Sequence, residues 1–170
     1  SDGNIIDLRF EKRHMCHLLG IETIAKRRYK NNNQLRRYRG VIGYERIENE
    51  EIDFVHLRNL SKEAFNSVKD KVLYFNQIPH IILSPKAIFR YKKISSSNIV
   101  CEIMMYDLKH GACVHLGIEK DDSGKFYIPR SFWVQRNEKF IEDQDDEILV
   151  EKIEQIALSD NEIVTSVDLN

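Results

Sequence analysis

The chain has little of what would cross-link it, break it or anchor it. Only three of its 170 residues are proline and seven are glycine, so there is no Pro-rich or Gly-rich linker to divide it. Its three cysteines, Cys16, Cys101 and Cys113, are an odd number without framework spacing. That points to free thiols in a reducing, cytoplasmic setting rather than to a secreted disulfide scaffold. No apolar run approaches the roughly 18 residues of a membrane span. The opening SDGN is polar and carries no leader pattern. Neither C-x-x-C nor H-E-x-x-H occurs, there is no Walker A loop, and GVIGY is too sparse for a nucleotide-binding turn. Internal repeats are absent too, and a length of 170 residues suits one domain with one core.

What is present is charge, unevenly placed. Hydrophobic residues make up 42% and charged ones 31%, the balance of a folded soluble chain rather than a disordered one. The net charge of −1 conceals two opposed parts. Residues 1–93 hold 19 Lys and Arg against 11 Asp and Glu, a surplus of 8 positive charges. Residues 94–170 hold 7 against 16, a deficit of 9. Such a chain can bind an anion with its basic part, or fold with mutually attracting halves.

Periodicity separates the same two parts. NIIDLRF alternates Ile6, Leu8 and Phe10 with Asp7 and Arg9, as a half-buried strand does. In EKRHMCHLLGIETIAKRRY, Leu18, Ile21 and Ile24 recur near helical spacing, with Gly20 shortening or breaking the helix. KNNNQLRRYRGVIGY reads as a polar loop followed by irregular structure. DFVHLRNL fits a short strand or the lead-in to a helix. SKEAFNSVKDKVLYFNQI is a helix capped by Ser61, with Phe65, Val68, Val72 and Phe75 on one face. LSPKAIFRYKK fits either a helix opened by Ser84 and Pro85 or an extended strand.

From residue 98 the period becomes two. NIVCEIMMYDL, ACVHLGIEK and KFYIPRSFWVQR are three strands joined through KHG and DDSG, an antiparallel meander. EILVEKIEQI fits a fourth strand or an amphipathic helix. The expected fold class is α+β: N-terminal helices packed on one face of an antiparallel sheet meander. Within a single domain, residues 1–93 are mainly helical and basic, 94–158 mainly sheet, and 159–170 a tail.

Three features can carry chemistry. If DDSG is a four-residue loop, Lys120 faces Lys125 and His115 faces Arg130, with Cβ atoms about 5 Å apart. A slip of one residue brings Ser131 or Pro129 opposite instead. A histidine beside an arginine suits phosphate chemistry, the imidazole moving a proton and the guanidinium holding oxygens; a solvated surface pair is the plainer reading. Second, His14 and His17 share a helix face, but Cys16, Cys113 and His115 are too scattered to complete a metal site, and none is expected. Third, residues 25–39 carry Lys26, Arg27, Arg28, Lys30, Arg36, Arg37 and Arg39 with Tyr29 and Tyr38 and no acid. Cations interleaved with aromatics suit single-stranded or looped RNA; a solvated basic face is equally open.

Four pieces in this order, HLLGI from His17, PKAIFRYKK from Pro85, VHLGIEKDDSGKFYIPRSFWV from Val114 and EKFI from Glu138, carry a resemblance over about residues 5 to 156. Together they resemble the phage-associated nuclease-like proteins of the superfamily uniting barnase, EndoU, colicin-type RNases and RelE. The resemblance implies a curved antiparallel sheet with N-terminal helices packed on it and an active site on the open sheet face. It implies cleavage of RNA without a metal or other cofactor, the 2′-hydroxyl attacking the adjacent phosphate. On this chain it implies His115 as acid or base, His17 as its complement, Arg130 on the phosphate and Ser131 as a hydrogen-bond donor, with Lys26 as an alternative clamp. No glutamate of the barnase kind is matched, so the base is left open. A toxin or phage-conflict role on tRNA or mRNA, with an antitoxin or immunity protein as partner, belongs to the same implication. Two other readings stand beside it. One is a non-catalytic RNA-binding module on the same fold. The other is a protein-interaction role for the acidic EDQDDE at 142–147, which can also shield the chain's own basic residues.

Overall fold

A computed structural model describes residues 4–95, 97–157 and 163–169. Its contacts divide the chain into two compact units, one of Glu11–Phe75 and one of Ser1–Phe10 with Asn76–Asn170.

The first unit is helical. After a 3-10 turn at Lys12–His14 come α1 (Met15–Leu18), α2 (Ile21–Arg28), α3 (Asn32–Arg36), α4 (Gly40–Glu48), α5 (Phe54–Leu60) and α6 (Lys62–Tyr74). Gly20 breaks the first helical stretch as its sequence suggests. Its φ is +75°, and a Cβ there would lie 2.8 Å from Val68 Cγ1, so only glycine lets α6 approach. Asn31, Asp53 and Ser61 cap α3, α5 and α6, each accepting a backbone N–H from two or three residues on. The core gathers Cys16, Ile21, Ile24, Leu35, Tyr38, Leu57, Ala64 and Val68, with Ile47 of α4 packed against it.

One expectation is corrected in this unit and one open choice is decided. The stretch 30–44 is not a loop but holds α3 and the start of α4. Helix-poor Asn and Gly mislead there, because Asn31 is spent on a cap and Gly43 on packing. A Cβ at Gly43 would stand 2.6 Å from Cys16 Sγ and 2.8 Å from the Tyr38 carbonyl carbon. DFVHLRNL resolves to a helix, α5, with Asp53 as its cap.

The second unit is built on a sheet. Its strands are β1 (Asn4–Phe10), β2 (Ala87–Arg90), β3 (Ile103–Lys109), β4 (Ala112–Lys120), β5 (Tyr127–Gln135), β6 (Val150–Ala157) and β7 (Ile163–Leu169), with helices α7 (Ile78–Leu83) and α8 (Lys139–Glu142). The strand order is β2-β3-β4-β5-β1-β7-β6. The fold is α+β, and the β3–β4–β5 meander is present. The sheet as a whole is mixed: β1 enters beside β5, parallel to it at Leu8–Tyr127, and runs antiparallel to β7. EILVEKIEQI is a strand, and the expected tail contains β7, which pairs with both β1 and β6. PKAIFRYKK is extended over β2.

β4 lies inside the sheet, and every residue from Ala112 to Ile118 is buried, as expected for a strand covered on both faces. The row Ile88–Met105–Leu116–Phe132 lies on one face. That face meets α7, whose Ile78, Ile81 and Ile82 are buried. The opposite row, Tyr106–His115–Trp133, packs with Phe89, Ile94, Met104 and Phe140. The end strand β2 is covered along its edge by residues 144–148. Arg90 N–H donates to Asp146 O, and Ile148 N–H donates to Ile88 O. Gln144 accepts from Lys92 N–H and donates to Lys92 O. Backbone groups at a sheet edge are thereby satisfied.

Candidate functional site

The β4–β5 hairpin decides the site, and its turn is longer than DDSG suggests. The Asp121 carboxylate accepts from Ser123 N–H and Oγ–H, Lys125 N–H and Phe126 N–H. Those bonds, the Ser123 hydroxyl first, hold its carboxyl down at about 2. They fold Asp121–Phe126 into a six-residue turn, so Lys120 faces Tyr127 rather than Lys125. A register shift between Gly117 and Ile118 then places Gly117 opposite Ser131 and Ile118 opposite Pro129, with Arg130 as the extra residue. The expected pairing of His115 with Arg130 is therefore corrected: His115 faces Trp133.

His115 is fully buried. Its ring stacks on Trp133 with centroids 4.8 Å apart and planes 1° from parallel, beside Tyr106 and Phe140. Neither ring nitrogen has a well-aligned hydrogen-bond partner. Burial pulls its pKa from 6.5 down to about 4, against a smaller raising influence of the Trp133 and Cys113 backbone groups. In this arrangement it is a neutral core residue, out of a substrate's reach.

Arg130 and Ser131 stand at the surface of the same strand. Arg130 Nε lies 3.1 Å from Glu119 Oε1, with the arginine half exposed and the glutamate more enclosed. Ser131 Oγ donates to Val100 O at 3.3 Å. A glutamate, Glu119, thus stands beside Arg130, a neighbour the sequence did not disclose. The four-residue loop had hidden it, because that register leaves Glu119 opposite the wrong neighbour. Chemically, a carboxylate can accept a proton and a guanidinium can hold phosphate oxygens.

A second polar cluster was also missed, because its members are 27 residues apart in the chain. His80 Nδ1 lies 3.2 Å from Asp107 Oδ2, Lys109 Nζ lies 3.0 Å from the same oxygen, and Lys109 Nζ lies 3.2 Å from His80 Nε2. These contacts tie α7 to β3 through one Lys109–Asp107 ion pair with the His80 imidazole beside it.

The basic run lies in the helical unit. Lys26, Arg27, Arg28, Lys30, Arg36 and Arg37 are exposed. Arg39 is half-buried, 3.3 Å from Glu22, which also meets Lys26 at 3.8 Å. Of the two tyrosines, Tyr38 differs from expectation. Tyr38 is buried, its hydroxyl 3.0 Å from His56 Nε2, and Tyr29 stacks on it at 5.6 Å. Tyr38, two residues past α3, packs into the same core cluster as Leu35, so it offers no platform to a base. His17 is exposed on α1. Among the described residues no group of three or more His, Cys, Asp or Glu is placed to hold a metal ion. Nor is any helix there long and apolar enough to cross a membrane. Burial pushes the Cys16 and Cys101 thiols up to about 12 and raises Cys113, so none of the three is a ready nucleophile.

Residues 1–165 match the model of the family described as phage-Barnase-EndoU-ColicinE5/D-RelE like nuclease4. No curated protein and no solved structure matches the chain.

Proposed function

The chain belongs to that nuclease family, and from this premise we propose that it is a metal-independent endoribonuclease whose site includes Glu119, Arg130 and Ser131. The observation that carries the reading is the 3.1 Å contact of Glu119 with Arg130 at the bulge of β5. Glu119 takes the proton of a ribose 2′-hydroxyl. The 2′ oxygen bonds to phosphorus and the bond to the 5′ oxygen breaks. That oxygen leaves with a proton from solvent, and the products end in a 2′,3′-cyclic phosphate and a 5′-hydroxyl. Arg130 stabilises the charge gathering on the non-bridging oxygens, and the Ser131 hydroxyl turns from Val100 O to donate to one of them. The exposed cations of the helical unit, Lys26 to Arg37, supply sequence-independent attraction for the RNA backbone. A toxin role, with an antitoxin or immunity protein as partner, belongs to this reading.

One observation favours a second reading, a non-catalytic RNA-binding module: the hairpin's only histidine is sealed in the core. Incubation with total RNA in EDTA separates the two. The nuclease reading expects fragments ending in cyclic phosphate, with Glu119→Gln and Arg130→Ala each slowing their release at least about 100-fold. Intact RNA with the wild-type protein supports the binding module instead. A Glu119→Gln/Arg130→Ala protein that cuts at the wild-type rate removes the proposed site.

A further inference from the structure

The end of β2 runs into residues 90–93, Arg-Tyr-Lys-Lys. Arg90 and Lys92 are two apart on an extended chain, so they point the same way roughly 6.6 Å apart. Each meets an aspartate of the segment that covers the strand edge. Arg90 Nε lies 3.6 Å from Asp146 Oδ2, and Lys92 Nζ lies 3.0 Å from Asp145 Oδ2. We propose that Arg90 and Lys92 form a binding site for successive backbone phosphates of single-stranded RNA, occupied at rest by the chain's own Asp146 and Asp145.

Three observations carry this. First, the covering segment does not need the two ion pairs to stay in place. Gln144 is buried and holds both backbone groups of Lys92, while Arg90 N–H and Ile148 N–H make main-chain bonds across the edge. Second, all four charged side chains are more than 60% exposed. Such pairs contribute little, so a ligand with higher charge density displaces them at small cost. Third, each cation already holds one carboxylate where a phosphate oxygen would stand, Asp146 on Arg90 and Asp145 on Lys92. A carboxylate on a guanidinium or ammonium occupies the geometry that a phosphate takes. Two aspartates that only pinned the edge would change stability when neutralised, and would leave affinity for RNA alone.

The site rests on the reading of this chain as acting on RNA, but it is tested apart from cleavage. The probe is a fluorescent single-stranded oligoribonucleotide with 2′-O-methyl riboses, which has no attacking hydroxyl, titrated by anisotropy at several salt concentrations. Asp145→Asn/Asp146→Asn keeps the main-chain strap and should bind the probe roughly 3- to 10-fold more tightly at low salt. Arg90→Ala/Lys92→Ala should flatten the slope of log affinity against log salt by about 1.4, the loss of two phosphate contacts to a single strand. Unchanged affinity in the aspartate variant, or an unchanged slope in the cation variant, overturns the site. So does polyglutamate that gains as much from the aspartate variant as the RNA does. The nuclease reading survives any of these results if total RNA is still cut.

Discussion

Replacing His115 with phenylalanine should make the sheet unit less sensitive to acid. In the folded chain the imidazole is fully buried among Trp133, Tyr106 and Phe140 and loses its proton at about 4. In the unfolded chain it titrates at its ordinary 6.5. Above pH 6.5 both states carry a neutral ring and the residue adds no pH dependence. Between 6.5 and 4 the unfolded chain binds more protons, so stability falls as the pH falls through this window. The loss reaches about 3 kcal/mol once both states are protonated, and is about 2.5 kcal/mol at pH 4.5. Phenylalanine keeps a flat ring against Trp133 and removes two buried nitrogens without aligned partners, so at pH 8 the variant should be at least as stable. Trp133 is the only tryptophan, and its fluorescence reports urea unfolding of this unit directly. Carboxylates contribute acid sensitivity to both proteins and cancel in the comparison. The expected result is a wild-type loss between pH 8 and pH 4.5 that exceeds the variant's by about 2 to 3 kcal/mol. Equal losses would refute a neutral, buried His115 and return the residue to the candidates for proton transfer.

Two substitutions probe the packing around the sites. Gly20→Ala must hold an alanine at φ +75° with its methyl 2.8 Å from Val68 Cγ1, which should cost about 2 to 4 kcal/mol in urea unfolding followed by far-UV dichroism; an unchanged midpoint would sink the close approach of α6. Gln144→Ala leaves the Lys92 N–H and carbonyl without their side-chain partners and should cost about 1 to 3 kcal/mol. Faster hydrogen exchange along β2 is the matching readout, and unchanged protection there would count against Gln144 as the clasp of the strand edge.

Signals that act over a few residues were legible in the chain. Ser61 announced the start of α6 because a cap needs only its own hydroxyl and the next turn. Gly20 announced a break, and β1 and β3 to β5 were legible as short segments rich in strand-forming residues between turn signals, although β4 is buried on both faces. Local signals also deceived where a residue was spent on something distant: Gly43 looks like a helix breaker, yet it is there to admit Cys16 and Tyr38. The basic run was legible as charge, but not that Tyr38 within it faces inward.

What the sequence by itself determined is the division into a basic helical part and a strand-rich part, the meander and the family. These follow from period, charge and the order of short motifs along the chain. Only the tertiary structure decided the parallel entry of β1 beside β5, the pairing of β7, the partner of Arg130 and the burial of His115. A strand's period says which face is apolar, not which strand lies next to it. A side chain's neighbour across a hairpin depends on how many residues the turn consumes. Here the carboxylate of Asp121 extended the turn to six residues and a bulge added one more. Those shifts moved Arg130 from His115 to Glu119.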